Sequence, residues 1–341
     1  MQTEIESHFV SAGSYIPAAL EAHDSSWNRM ALRTRQADPF SCRSEWQLSY
    51  HEAFQPDRNL YLRHTSNGLI AFAELKRPGG FGIFTPVEAH WLFGSPLLGA
   101  EAIDLLEDAM IELGTVHRGR LRPPAFVISG LRPKGVMLNN LSRRLGRYFE
   151  LRFHADELLC GASLSGGLDG YLSRRSANHR RNLRKQDRRA RGKGVEFERM
   201  LPTTDSDAHA LYERMLAVEQ QSWKGINSCG MAEHPAREFY RTLLRRLARA
   251  QSARIMFARH DGRDIGFIFG GLADGVYRGQ QFSFVHDWRR DGIGNLLQLE
   301  QLHWLCEENA KRYDMGPVMD YKRHWTEQNY HAQTWVLAAR R

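Results

Sequence analysis

The period of apolar and polar positions changes several times along this chain, and the changes divide it. Residues 59–65, 68–77 and 81–84 are short apolar runs bounded by turn residues, which predicts three strands. Over residues 98–114, Leu98, Ile103, Leu106, Met110 and Leu113 recur near helical spacing and stop at Gly114, while 125–129 is an apolar run between Pro124 and Gly130. Residues 135–146 predict a further helix and 148–160 a returning strand. Residues 1 to 35 are mixed and weakly patterned.

After a turn-rich stretch, 161–170, a second series begins. Residues 174–193 have no proline and no glycine until Gly192, which predicts a long helix. A strand at 195–200, amphipathic helices at 208–223 and 235–250, and a hairpin of 254–260 with 264–271 turning at Asp261-Gly262 come next. Residues 276–285 read as a strand, 296–310 as a helix, 312–315 as a short strand and 331–339 as a closing strand. Two α/β (α+β) domains are expected, 1–160 and 161–341, each a mixed twisted sheet flanked by helices. A length of 341 residues with 42% hydrophobic content supports two cores.

Composition changes this picture at one place. The net charge is +8, but ten Lys/Arg against Asp187 give residues 174–193 alone +9, so the rest of the chain stands at −1. The basic character is one local feature. Its arginines surround most of a helix and must meet solvent or an anion: tRNA, an acidic lipid, or the phosphates of a small molecule. No aromatic residue interleaves the cations, which counts against stacking on single-stranded RNA. The four cysteines, Cys42, Cys160, Cys229 and Cys306, form no C-x-x-C pair and fit a reducing, cytoplasmic setting, with the cytosolic face of a membrane as the peripheral alternative. The start of the chain does not resemble a secretory signal, and no stretch reaches membrane-spanning length.

The stretch from Phe282 to Leu297 carries the most chemistry. An apolar strand leads into Arg289-Arg290-Asp291-Gly292-Ile293-Gly294, and a helix is expected to open at Asn295. Glycines let backbone approach phosphate oxygens, helix N–H groups face them, and Arg289 adds a charge-assisted contact. A third glycine and a later acidic residue, as a dinucleotide site needs, are missing after Gly294.

Arg289, Gly292 and Gly294 resemble the acyl-CoA loop of the GNAT superfamily, Arg/Gln-x-x-Gly-x-Gly/Ala between a strand and a helix. The resemblance is closer to the acetyltransferase-like family associated with cellulose and exopolysaccharide synthesis, which is related to Fem-type aminoacyltransferases. It is carried by Ser176, Arg180, Leu183 and Arg184 on the basic helix, by Trp223-Lys224-Gly225, and by Tyr313-Asp314-Met315-Gly316 with Tyr321-Lys322. In the first half it is carried by Asp38-Pro39-Phe40, Trp46, Phe54, Trp91 and residues 94–97. That family often has Ser-Pro-Gly at the loop, where this chain has Gly292-Ile293-Gly294.

The resemblance implies two GNAT-like domains, the second binding acyl-CoA through Val285, Arg289, Arg290, Gly292, Gly294 and Asn295. The first is expected to be without a working cofactor loop. Acyl transfer to an amine needs a polarised carbonyl, a neutral amine and a proton for the leaving thiolate. No G-x-S-x-G elbow is present, so direct attack is expected. His286 and Asp287 at the strand end are candidates for the base, a solvated turn being the alternative. Asp320 and Tyr321 form a second candidate cluster, with Tyr321 as proton donor or as packing and Lys322 meeting an acidic acceptor or a phosphate. Glu219, Trp223 and Lys224 are expected to line the acceptor pocket, although a tryptophan at a helix end is commonly core. His303 and Cys306 share a helical face without a second ligand pair, so core packing and no metal is the expectation.

The expected function is an acyl-CoA-dependent N-acyltransferase acting on a small-molecule or envelope-precursor amine. The alternatives are an aminoacyl-tRNA-dependent transferase and a non-catalytic nucleic-acid or membrane-binding protein.

Overall fold

The computed structural model describes residues 6–10, 24–75, 82–117 and 120–340. Residues 76, 77 and 81, at the expected strand ends, and most of the opening segment lie outside them. The chain forms two compact units, residues 1–158 with 330–341, and residues 159–329.

In the first unit, strands β1 (Glu6–Val10), β2 (Leu60–His64), β3 (Gly68–Leu75) and β4 (Ile83–Pro86) pair antiparallel in that order. The short β5 (Leu97–Gly99) adds to β3, and β6 (Thr115–His117) with β7 (Arg120–Arg122) makes a separate ribbon. Strand β8 (Ala125–Leu131) lies parallel to β4. Leu98 therefore belongs to a strand, not to the helix expected from 98. Helix α1 (Asp24–Leu32) lies within the weakly patterned opening, and α2 (Ser44–Phe54) lies where no element is expected. Helix α2 is buried on nearly every side, so its sequence shows no polar face from which a helical period could be read. Helix α3 (Ala102–Glu112) joins β4 to β8 and packs Leu105, Leu106, Ala109 and Met110 into a core with Phe72, Phe84 and Phe126. Helix α4 (Val136–Leu145) comes after β8.

Strand β9 (Phe149–Ser163) runs from the first unit into the second. In the second unit come α5 (Gly167–Ser173) and the basic helix α6 (Ala177–Gly192), whose N-cap Ser176 accepts the His179 N–H at 3.2 Å. Strand β10 (Glu196–Met200) precedes α7 (Asp205–Gln220), which opens with a Thr204/Asp207 capping box. The expected helix 208–223 ends at Gln220. Ser222 starts a new short helix, α8 (Trp223–Ile226), by accepting the N–H groups of Lys224 and Gly225. Helix α9 (Ala236–Arg249) and the antiparallel strands β11 (Ala253–His260), β12 (Arg263–Ala273) and β13 (Val276–Phe284) continue the unit.

The β11–β12 turn has Asp261 at φ 48° and Gly262 at φ 74°, the positive pair that a two-residue hairpin loop requires. Strand β12 is buried on both faces from Ile265 to Gly271, as its unbroken apolar run requires. Helix α10 (Ile293–Glu307) leads to β14 (Arg312–Pro317), which lies parallel to β13 and antiparallel to β9. The last strand, β15 (Gln328–Ala339), pairs with β8, so residues 330–340 join the first unit and not the second-domain span of 161–341.

Candidate active site

Strands β13 and β14 are parallel and joined through α10, so the N-terminus of that helix lies beyond the strand that feeds it. The two pair only at Val276–Arg278 with Arg312–Asp314, although β13 continues to Phe284. Beyond that point they separate. On its other side β13 carries a bulge: Phe269 faces Gln281 and Gly270 faces Gly279, leaving Gln280 as the extra residue.

A small cavity of about 50 Å³ lies in the opening, lined by residues of the bulge together with Tyr313, Met315, Tyr321 and Lys322. A larger one of about 260 Å³ shares Phe282, Gln298 and Tyr321 with it and is lined also by Arg289, Arg290, Gly292, Gly294 and Asn295. The strand gap, the glycine loop and Tyr321 are thus brought to one place.

The loop takes its shape from local causes. Val285 N–H is held by Ile265 O and His286 N–H by Gln221 O, both at 2.9 Å, and residues His286–Arg290 then wind into a 3₁₀ turn. Gly292 has φ 75°, in the left-handed region where glycine is favoured, and serves as N-cap. Helix α10 begins at Ile293, two residues before Asn295, where it is expected to open, so Gly294 and Asn295 lie in its first turn. The first N–H groups of a helix have no partner within it and can accept an anion. Gly294 is required by packing, since a Cβ there would stand 2.8 Å from the Phe284 ring.

Asp291, buried just before the N-cap, accepts Lys193 Nζ at 2.7 Å and Arg189 Nη2 at 2.8 Å. This ties the basic helix to the loop. Gln186 lies over Gly292, where a Cβ would come within 2.5 Å of its side chain, and its Oε1 accepts Asn295 Nδ2 at 3.1 Å.

Tyr321 packs edge-on to Phe282 at 5.7 Å, and desolvation pushes its phenol up to about 12. Lys322 is buried, with Nζ donating to Met315 O at 2.6 Å and Pro317 O at 2.8 Å, so two of its three protons go to backbone instead of an acidic acceptor.

The other expected residues spread out. Val285, His286 and Asp287 do not line either cavity, and Asp287 is exposed. Asp320 is 96% exposed in its side chain and pairs with Arg323 at 3.3 Å. Trp223 is 53% exposed and is not core. Glu219 is fully buried, accepts Met231 N–H at 3.0 Å and forms a short hydrogen bond with Ser283 Oγ. Lys224 Nζ donates to Gln281 Oε1 at 2.7 Å and Phe282 O at 3.0 Å; desolvation pushes the amine below the usual lysine range, with Glu219 opposing. Gln281 Nε2 donates in turn to Tyr240 OH at 2.7 Å, and Gln281 itself lines the small cavity. His303 is exposed and pairs with Glu307 at 3.2 Å, a correction to the expected core packing. Among the described residues no group of His, Cys, Asp and Glu could hold a metal.

Gln186, Gln298 and Trp325 complete the lining and were not expected. Gln298, a polar residue four positions after Gly294 on a buried helix face, is the one with a signal in the sequence.

Within the basic helix, partners are uneven. Arg175, expected in solvent or on an anion, is buried with Glu327, and Arg180 donates to the carbonyls of Leu172, Ser173 and Arg175. Arg191 meets Asp187 and Glu300. Arg181, Arg184, Lys185 and Arg188, spaced i, i+3, i+4 and i+7, are exposed, and none has a carboxylate partner among the described residues. They form one stripe.

Comparison with known proteins bears on this arrangement. Residues 177–323 match the family described as acetyltransferase (GNAT) domain. Curated protein sequences give no match. Among solved structures, FemX is similar with a TM-score of 0.61 at 10% identity, covering 92% of this chain and 95% of that one. A conserved protein of unknown function from Bacteroides thetaiotaomicron VPI-5482 gives 0.60 at 11%, covering 94% and 97%. The C-terminal domain of a protein described as a lysylphosphatidylglycerol synthetase, from Agrobacterium fabrum, gives 0.55 at 12%, covering 94% and 93%. At these identities the structural likeness is one of fold. Among the described residues no helix is long and apolar enough to cross a membrane. With the family match spanning the splayed strands, the glycine loop and Tyr321, the chain carries a GNAT acetyltransferase domain, the catalytic module of an acyltransferase.

Proposed function

We propose that this chain is an acyl-CoA-dependent N-acyltransferase whose site is the gap between β13 and β14. The observation that carries the reading is that one cavity joins the glycine loop, the start of α10 and Tyr321 at the point where two parallel strands part. The loop fits a pyrophosphate: unpaired amides at Ile293–Asn295, glycines at the close approaches, and Arg289 and Arg290 beside them. Acyl-CoA, when bound, supplies an activated thioester carbonyl.

The residues divide the remaining work. Beyond Arg278, among the described residues, β13 has no partner on the β14 side, and its backbone amides there are the donors that polarise a carbonyl lying in the gap. Tyr321, with its phenol raised to about 12, keeps its proton at neutral pH and gives it to the leaving sulfur. Lys322 holds Tyr321 in place by anchoring its turn to the end of β14. Neither cavity is lined by a carboxylate or an imidazole. The acceptor amine therefore enters neutral and, once it has attacked, gives its extra proton to water, which returns one to Tyr321; a part for His286 or Asp287 as base requires a water relay. An envelope or exopolysaccharide precursor as acceptor rests on the family resemblance.

Calorimetric titration of the nuclease-treated protein with acetyl-CoA and a long-chain acyl-CoA, beside Gly292→Trp, tests this. The expected result is binding by the wild type that weakens on the order of 100-fold in the variant, since an indole at a positive φ fills the loop. Equal binding by both proteins would remove the thioester from this loop.

The second reading, an aminoacyl-tRNA donor, is favoured by the carboxylate-free stripe Arg181, Arg184, Lys185 and Arg188 beside the loop and by the likeness to FemX. Co-purifying tRNA, with no thioester binding after nuclease treatment, would favour it.

A further inference from the structure

The first unit holds a cavity of about 530 Å³ at the turn that precedes α3, and the acyl-transfer reading makes no use of it. Arg29 comes from α1 and Arg33 and Arg35 from the turn just after it, while Asn67 and Asn140 add amides. The lining also includes the apolar side chains of Met30, Ile103 and Met137. It contains no carboxylate.

Several other arginines of this unit find acids. Arg43 meets Glu45 at 2.6 Å, Arg63 meets Glu112 at 2.7 Å, and Arg144 is paired with Asp104 and Glu107. Arg29, Arg33 and Arg35 have no such partner among the described residues. Glu101, next to the cavity wall, is engaged by Thr65 Oγ1 at 2.6 Å and Asn67 Nδ2 at 3.3 Å. Arg29 on the last turn of α1 and Arg33 just past its end line the same cavity, and like charges so placed repel unless an anion relieves them. A concave wall of one sign also focuses its field on the space it encloses.

Guanidinium groups bind phosphate oxygens in pairs, and the volume suits a small molecule, not a bare ion. We propose that this cavity binds an organic pyrophosphate of nucleotide size, with its phosphates on Arg29, Arg33 and Arg35 and its body against Met30, Ile103 and Met137. The proposal is independent of the thioester site.

The test is equilibrium binding of ADP and of inorganic pyrophosphate to the full chain in the Gly292→Trp background, so that the second-unit loop does not contribute. ADP is expected to bind there, to bind more tightly than pyrophosphate, and to weaken at least tenfold in Arg33→Gln/Arg35→Gln. The charge-matched control Arg184→Gln/Lys185→Gln should leave it unchanged. Should Gly292→Trp fail to fold, Arg289→Gln/Arg290→Gln, which weakens the second-unit loop without filling it, serves as the background instead. Absence of ADP binding, or equal weakening by the control, would overturn the proposal.

Discussion

Each unit contains a strand, a helix and a parallel strand built alike, and the two differ in the segment after the first strand. In the second unit β13 and β14 part after three paired positions, and a cavity lies between them. In the first, β4 and β8 pair only at Ile83 with Ala125 and Phe84 with Phe126, but the chain after β4 folds back onto β8. Glu88 gathers the His90 and Trp91 N–H groups at 2.7 and 2.6 Å, and Ser95 Oγ accepts the Ser129 N–H at 2.7 Å. Gln36 closes on both the N–H and C=O of Ser95. Gly130, at φ 74°, lies so near this segment that a Cβ would stand 2.6 Å from Phe93 O. The same frame is stitched shut in one unit and left open in the other, so a site depends on the connection after the strand as much as on the fold.

The largest expected effect separates the open gap from the stitched one. Tyr321→Phe should lower kcat at least about 100-fold with little change in KM for the thioester, as loss of a proton donor does. Ser95→Ala, in the stitched gap, should leave kcat alone and cost about 1–2 kcal/mol of stability. Steady-state kinetics and urea titration read the two. A kcat within threefold of wild type for Tyr321→Phe would end the distinction.

Next in size is a pH effect confined to the first unit. His51 is buried on α2, its Nδ1 has no hydrogen-bond partner, and desolvation, with Arg58 nearby, lowers its pKa to about 4. Unfolded, it titrates near 6.5. The unfolded chain therefore takes up the proton first as pH falls. Stability is full above about pH 6.5, declines between there and pH 4 by about 3 kcal/mol, and changes no further below. Urea midpoints of wild type and His51→Gln at pH 7 and 4.5 should show a smaller loss in the variant; parallel losses would remove His51 as the cause.

The smallest effect concerns access to the open gap. Gln186 covers Gly292, and a pyrophosphate on the same amides must displace it. Gln186→Ala should tighten thioester binding about threefold, in line with one neutral hydrogen bond. Weaker binding would mean that the amide turns toward the phosphate instead.

How far the sequence foretold this depends on the range of the interactions. The strand, glycine loop and helix were legible because their residues are contiguous and their periods distinct. The helix starts two residues before Asn295, because Ile293 extends the apolar face to the N-cap. Helix α2 left no period to read, being buried all round. Tyr321 was legible as a residue near the site, but the exposure of Asp320 beside it depends on the turn. The contacts of Gln186 with Gly292 and of Asp291 with Lys193 join positions about a hundred residues apart, and no local pattern announces them.

The salt link at Asp291 changes what the basic helix offers to a polyanion. Ten cations occur in residues 174–193, yet the side chains that backbone carbonyls and carboxylates do not already engage are Arg181, Arg184, Lys185 and Arg188. A nucleic acid lying on that stripe would release counterions for four contacts. Its affinity would then fall with added salt at a logarithmic slope of about −3, where ten free cations would give about −7 for a single strand.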